Sequence, residues 1–185
     1  TLPTTPLDHI DDSEGEIALC ILSAVNLGLI RDKHDLEELC DLSVRALDEI
    51  IDYQEYPVEA ARISTESRRS LGIGYIGLAH YLAKNHVKYD DKEALMLVDE
   101  VTEAFQYYLL KASNTLAQEK GQCEYFEKTK YSDGILPIDT YKKDLDKIVK
   151  RKLSYDWKEL RKDIQEHGLR HSTLSAQMPS ESSSV

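Results

Sequence analysis

The residues best suited to chemistry in this sequence lie towards its two ends. Near the C-terminus, Ser180, Ser182, Ser183 and Ser184 follow Pro179. Hydroxyl side chains of this kind cap helix starts, and the unpaired backbone N–H groups of a helix start form a natural site for a phosphate group. Composition alone favours a frayed Ser-rich terminus over such a site. Near the N-terminus, Cys20 lies inside the short apolar run Glu16 to Ser23. A thiol could carry redox or nucleophilic chemistry there, although a lone cysteine in an apolar strand is ordinarily a small buried hydrophobe. A third candidate is the adjacent pair Tyr107-Tyr108, because stacked tyrosines can relay a radical. Neighbours on a helix point about 100° apart, so these two rings are not expected to stack on each other.

Metal and dinucleotide chemistry find little support. The remaining cysteines, Cys40 and Cys123, complete an odd set with neither metal-ligand spacing nor a secreted disulfide framework, and both read as structural. His9, His34, His80, His86, His167 and His171 include no HxxxH pair, so no metal site is expected. Gly72-Ile73-Gly74 with Gly77 has the form GxGxxG but lacks the preceding Val/Ile-rich strand and the later acidic residue of a dinucleotide fingerprint. Packing glycines are the better reading.

The elements that must hold these residues follow from periodicity and capping. Thr1 to Ser13, with Pro3 and Pro6, reads as an irregular lead-in, and Glu16 to Ser23 as a buried strand. Asp35 and Glu38 resemble a capping box before a helix running to about Tyr53, with Leu36, Leu39, Cys40, Leu47, Ile50 and Ile51 at helical spacing. Ser67 to Lys84 reads as mostly helical, its glycines allowing close backbone packing. The longest helical pattern, Asp91 to Lys120, puts Leu95, Val98, Val101, Phe105, Tyr108, Leu109, Ala112 and Leu116 on one face, with Gly121 as its stop. A charged helix over about Asp139 to Lys150 and another over Asp156 to Glu166 follow. The second presents Trp157, Leu160 and Ile164 and stops at Gly168. His171 to Met178 is strand-like, and Pro179 to Ser184 resembles a helix N-terminus. The expected fold is mainly α with a few strands, in one domain over residues 1–185 with no internal boundary.

Composition narrows the function classes. The 185 residues carry 34 acidic and 23 basic side chains, a formal charge of −11. That balance argues against a general nucleic-acid or anionic-membrane surface, either of which needs a basic footprint. The longest apolar stretch, Ile17 to Ile30, is interrupted by Ser23, Asn26 and Gly28 and falls short of the about 20 residues a membrane helix needs. Nothing reads as a signal peptide, and the cysteine usage fits a reducing, cytoplasmic compartment. The chain opens Thr1-Leu2-Pro3 without an initiator Met, which suggests a processed product or a piece of something longer.

A resemblance sharpens this picture. Trp157-x2-Leu160-x7-Gly168-Leu169-Arg170-His171-x3-Ser175-Ala176-x2-Pro179 follows the signature of the large (alpha) subunit of ribonucleotide reductase. Gly15 to Cys20 with Ser23-Ala24 and Asn26-Leu27-Gly28 is similar to that family, as are Arg68 to Gly74, Tyr107 to Ser113 and Gly134 to Tyr141. The resemblance spans essentially the whole chain and points to the class I aerobic type. It implies a segment of a ten-stranded α/β barrel acting in the reduction of ribonucleoside diphosphates.

By resemblance, Cys20 is one of two thiols that supply reducing electrons and become a disulfide. Its partner cysteine lies outside this chain. Pro179, Ser180, Glu181, Ser182 and Ser183 match the loop that holds the substrate diphosphate. The implied partners are the remainder of the alpha subunit, a metal-containing beta subunit that generates the radical, and thioredoxin or glutaredoxin as reductant. Nucleotide effectors would bind elsewhere, and no cofactor is expected in this segment. The family's radical-forming cysteine, in a Cys-x-Glu turn expected just before Thr1, is not among these residues, nor are the radical-relay tyrosines. The expectation is therefore about a quarter of an alpha subunit, from a truncation, a split gene or an intein-interrupted one. The competing reading is an inactive helical interaction module derived from the same fold.

Overall fold

A computed structural model describes residues 2–10 and 12–180. Its centre is a pair of parallel strands, β1 (Ile21–Asn26) and β2 (Leu71–Ile76), in the register Ile21 opposite Leu71 through Asn26 opposite Ile76. Parallel neighbours need a long crossover. Here it is supplied by α1 (Asp35–Tyr53) and α2 (Glu59–Arg68). On the free edge of β2 the chain returns much later, as a parallel bridge between Ile73 and Ser175.

Alternation gives this layer two unlike faces. Val25, Leu71 and Ile73 point into the core, where α1 packs against the long helix α4 (Lys92–Lys120). Leu36, Cys40, Val44, Leu47 and Ile51 form the buried stripe of α1, and Val101, Ala104, Phe105, Tyr108, Leu109, Ala112 and Leu116 that of α4. Tyr75 meets Phe105 edge to face at 5.6 Å, tying β2 to α4. A short helix, α3 (Leu78–Lys84), follows β2, and the single turn α5 (Pro137–Thr140) precedes α6 (Trp157–His167). The latter buries Trp157, Leu160 and Ile164. None of the helices among the described residues is long and apolar enough to cross a membrane.

Periodicity located α1, α4 and α6 well, for each has an apolar stripe at helical spacing. Elsewhere the structure corrects the sequence reading. Ser67 to Lys84 is not mostly helical: α2 ends at Arg68, and Gly72 and Gly74 lie inside β2. The first strand starts at Ile21 rather than Glu16, because Glu16 is buried in an ion pair with Arg68 at 2.5 Å. Asp35 does not cap α1; its carboxylate takes the side chain and backbone N–H of Arg31 instead. Residues 139–150 form no single helix, and Leu145 and Ile148 stay largely exposed. Leu95 of α4 is likewise exposed. His171 to Met178 is assigned only the one bridge, at Ser175.

Candidate functional site

The open face of the sheet is built from two anchored arms. The first leads into β1. Glu16 accepts hydrogen bonds from Arg68 at 2.5 and 2.8 Å and from the hydroxyl of Thr5 at 2.6 Å, and the Ile17 N–H donates to the Ala60 carbonyl at 3.0 Å. The Arg68 guanidinium outweighs burial and holds the Glu16 carboxyl at about 2. This arm delivers Cys20 to the start of β1.

The second arm is the return segment beyond α6. Ser172 N–H donates to Arg68 O at 2.9 Å, Leu71 N–H to Thr173 O at 3.0 Å, Ile73 N–H to Leu174 O at 2.8 Å and Ala176 N–H to Ile73 O at 3.1 Å. Above this ladder the Ser175 hydroxyl donates to Gln106 of α4 at 2.6 Å. Below it lies a buried polar cluster. Asp48 sits in the apolar stripe of α1 with no exposed surface and accepts from Arg69 at 2.6 Å, Arg170 at 3.2 Å and His171 at 3.1 Å. Burial alone would raise its pKa, but the hydrogen bonds from His171 and Arg69 hold it well below the ordinary carboxylate range. Burial pushes His171 the other way, below its ordinary value. A neutral imidazole that donates from Nε2 to ionised Asp48 has Nδ1 free to accept, and the Ser113 hydroxyl lies 2.9 Å from it. Arg69 takes a left-handed conformation, φ 48°, clamped between Asp48 and Asp52.

Between the arms, β2 offers almost no side chains to the open face. Leu22 faces Gly72 and Ala24 faces Gly74 across the strands. A Cβ placed on Gly72 would come within 2.7 Å of Cys20 Sγ, 2.7 Å of Leu22 Cδ2 and 3.3 Å of Ala176 Cβ. A Cβ on Gly74 would run into the carbonyl oxygen of Ala176. Glycines here serve close packing, as the sequence suggested, but within a strand and not a helix. Their position inside β2, not at a strand-to-helix turn, also disposes of a dinucleotide loop.

Cys20 is therefore not the buried hydrophobe its apolar neighbours suggested: it is exposed at the start of β1. Its sulfur nonetheless lies against Gly72, and partial burial raises the thiol pKa. Cys40 and Cys123 are buried, and desolvation pushes Cys123 up to about 11 and Cys40 higher still, which keeps both thiols protonated and inert. Pro179 and Ser180 continue the return segment on the exposed side. Glu181, Ser182 and Ser183, the rest of the candidate loop, lie outside the described residues.

Tyr107 and Tyr108 meet edge to face at 5.7 Å and do not stack on each other, as helix geometry required. Tyr107 stacks instead on Tyr155 at 4.7 Å, a contact the sequence did not suggest. The Asp48 cluster was also missed. A carboxylate in the middle of an apolar helical stripe was its one visible signal, since such a group must find a partner.

Comparison with known proteins places these features in a family. The family model for the ribonucleotide reductase barrel domain matches residues 7–185. The alpha subunit of ribonucleoside-diphosphate reductase from Buchnera aphidicola subsp. Schizaphis graminum is 62% identical over 184 residues, covering 100% of this chain and 24% of the relative. The corresponding subunit of Enterobacteria phage T4 is 45% identical over 181 residues, 97% of this chain and 24% of the relative. The alpha subunit of ribonucleoside-diphosphate reductase 1 from Escherichia coli K12 is 58% identical over 134 residues, 72% of this chain and 18% of the relative. The chain thus spans about a quarter of the length of the Buchnera and phage relatives. It belongs to the ribonucleotide reductase barrel-domain family.

Proposed function

We propose that this member of the ribonucleotide reductase barrel family works as part of the catalytic subunit of a ribonucleoside-diphosphate reductase. The overall change is ribonucleoside diphosphate plus dithiol to deoxyribonucleoside diphosphate plus disulfide plus water. The C2′–O bond breaks, the hydroxyl leaves as water, C2′ gains a hydrogen, and two thiols lose two electrons as they join. Cys20 is one of those thiols, and its partner comes from outside this segment. Pro179, Ser180, Glu181, Ser182 and Ser183 form the loop that holds the diphosphate.

The observation that carries this reading is the convergence on β2. Strand β1 brings Cys20 to one side of Gly72, and the return segment brings Ala176, three residues before the proposed loop, to the other. A substrate held by its diphosphate would have its ribose brought along the return segment towards the exposed Cys20. Cys20 gives up its hydrogen and an electron, and the work of the surrounding residues is positioning and exclusion of water.

The wider setting follows from the family. The two strands and the return segment would be neighbours in a ten-stranded barrel completed by the rest of the alpha subunit. A beta subunit supplies the radical that starts the reaction, thioredoxin or glutaredoxin returns the disulfide to thiols, and effectors bind elsewhere. Free thiols at Cys20, Cys40 and Cys123 suit the cytoplasm.

The test is Cys20→Ser in a full-length alpha subunit bearing this segment, assayed for CDP reduction with beta subunit and thioredoxin. Sustained turnover should disappear. Near-wild-type multiple turnover would overturn the assignment and favour an interaction module that has kept the fold without the chemistry.

A further inference from the structure

We propose that Gly72 is a positioning residue for the redox step: its bare Cα is what lets the Cys20 sulfur lie between β1 and Ala176. The inference rests on the reading of Cys20 given above and names what places that sulfur.

Glycine weakens a strand, since it loses the most backbone entropy and offers nothing to pack. Its usual justification is a backbone conformation that other residues avoid, as at Gly77, Gly121, Gly134 and Gly168, all with positive φ. Gly72 is not among them, and its backbone is ordinary strand that any residue could adopt. Space is the remaining reason. Real Cβ atoms essentially never come within 3.0 Å of another heavy atom outside their chain neighbours, yet one on Gly72 would stand 2.7 Å from both Cys20 Sγ and Leu22 Cδ2.

The neighbours differ in how they could yield. Leu22 is 52% exposed, and its methyl is the free end of a side chain that can swing into solvent. Ala176, at 3.3 Å, is held by its own N–H to Ile73 O and cannot retreat. The sulfur of Cys20 must therefore rotate about its Cα–Cβ bond, away from the glycine floor. A disulfide forms only within narrow limits of distance and dihedral angle. In the step at stake, two S–H bonds break and one S–S bond forms while the electrons and hydrogens go to substrate and water, and a displaced sulfur makes that bond slowly.

The experiment uses a full-length alpha subunit bearing this segment, with beta subunit, thioredoxin and CDP. Gly72→Ala should lower kcat about a hundredfold and leave KM for CDP within about twofold, the scale expected for an ångström-sized misplacement of a reacting group. In pre-reduced protein given one turnover, the share of Cys20 that resists alkylation should fall in step. A folded Gly72→Ala enzyme with wild-type kcat overturns the proposal, for a glycine needed only by the fold would lower the melting temperature and spare the folded enzyme. If Gly72→Ala does not fold, Leu22→Ala combined with Gly72→Ala removes the other close contact. Persistent loss of turnover in that double variant supports the proposal, and either recovery or failure to fold counts against it. Cys20→Ser separates the two claims. Sustained turnover there removes the reading of Cys20 itself. A dead Cys20→Ser beside a wild-type Gly72→Ala removes only the role of Gly72.

Discussion

β2 and the return segment run side by side through two environments of opposite character. At their lower end, Asp48, Arg69, Arg170 and His171 fill a dry space with charge and leave almost nothing to solvent. At their upper end, Gly72 and Gly74 carry no side chains, and Cys20, Leu22 and Ala176 close directly over the bare backbone. Register is set where polar groups have no alternative partners. Reactive groups are admitted where side chains have been withdrawn. One strand pair does both jobs because they are divided along its length.

The contrast can be broken most forcefully from below. Asp48→Ala would leave Arg170 and His171 without their carboxylate and Arg69 with Asp52 alone, at a cost of about 3–5 kcal/mol. Urea unfolding of the variant subunit should show that loss as a lower midpoint, with the activity of the protein that still folds largely kept. A stability unchanged from wild type would mean that the lower cluster anchors nothing.

The arm that carries Cys20 offers the next largest effect, through pH. Glu16 is held at about 2 in the folded chain against an ordinary value of 4.5. A depressed carboxyl pKa stabilises the fold fully above the unfolded value and ceases to do so as pH falls through the folded one. The ion pair should therefore contribute on the order of 3 kcal/mol near neutrality, lost progressively below about pH 4.5. Thermal melts from pH 6 to pH 2 measure this. Glu16→Gln should melt lower at neutral pH and lose less between those limits, and parallel curves for the two proteins would refute the assignment.

Substitutions in the proposed diphosphate loop should do the reverse, sparing stability and touching substrate. Ser182→Ala and Ser183→Ala are each expected to weaken diphosphate binding by about 1 kcal/mol, the worth of one hydrogen bond. The Michaelis constant of the double variant for CDP reads the sum, and an unchanged value would remove the loop from the site. The smallest change is expected from Ser175→Ala, which removes the bond to Gln106 but keeps the backbone ladder. A melting temperature lowered by the equivalent of about 0.5–1 kcal/mol, with kcat unaltered, would show that the ladder carries the register.

The sequence spoke clearly where one element answers to one period. The stripes of α1, α4 and α6 are visible without any partner, because helix spacing picks out most of the residues they bury, although Ile50 and Leu95, on the same spacing, stay exposed. β2 was misread because Gly72 and Gly74 supply no side chain on one face, leaving Leu71, Ile73 and Tyr75 too few to declare a period of two. Cys20 was misplaced for a related reason. The apolar run Ile17 to Leu19 looks like a strand, whereas the buried Glu16–Arg68 pair decides where pairing starts. The Asp48 cluster joins residues from α1, α4, the end of α2 and the return segment, and no local pattern links them. Trp157, Gly168, Arg170 and His171, legible as a family signature, act in the structure largely as scaffold. Trp157 donates to Glu103 at 2.9 Å, Gly168 ends α6 with φ 75°, and Arg170 and His171 hold Asp48.

The bond between His171 and Asp48 closes a loop of 123 residues. Joining such distant points costs about 4 kcal/mol of chain entropy. During synthesis at about 5–20 residues per second, Asp48 would wait roughly 6–25 s for its partner to be made. Until then the carboxylate in the middle of the α1 stripe has Arg69 beside it but lacks Arg170 and His171. The cluster thus acts on the order of folding as well as on the finished fold. Arg69 can match the charge of Asp48 early, and the pocket is completed by Arg170 and His171 only when the segment leading to the proposed substrate loop has arrived.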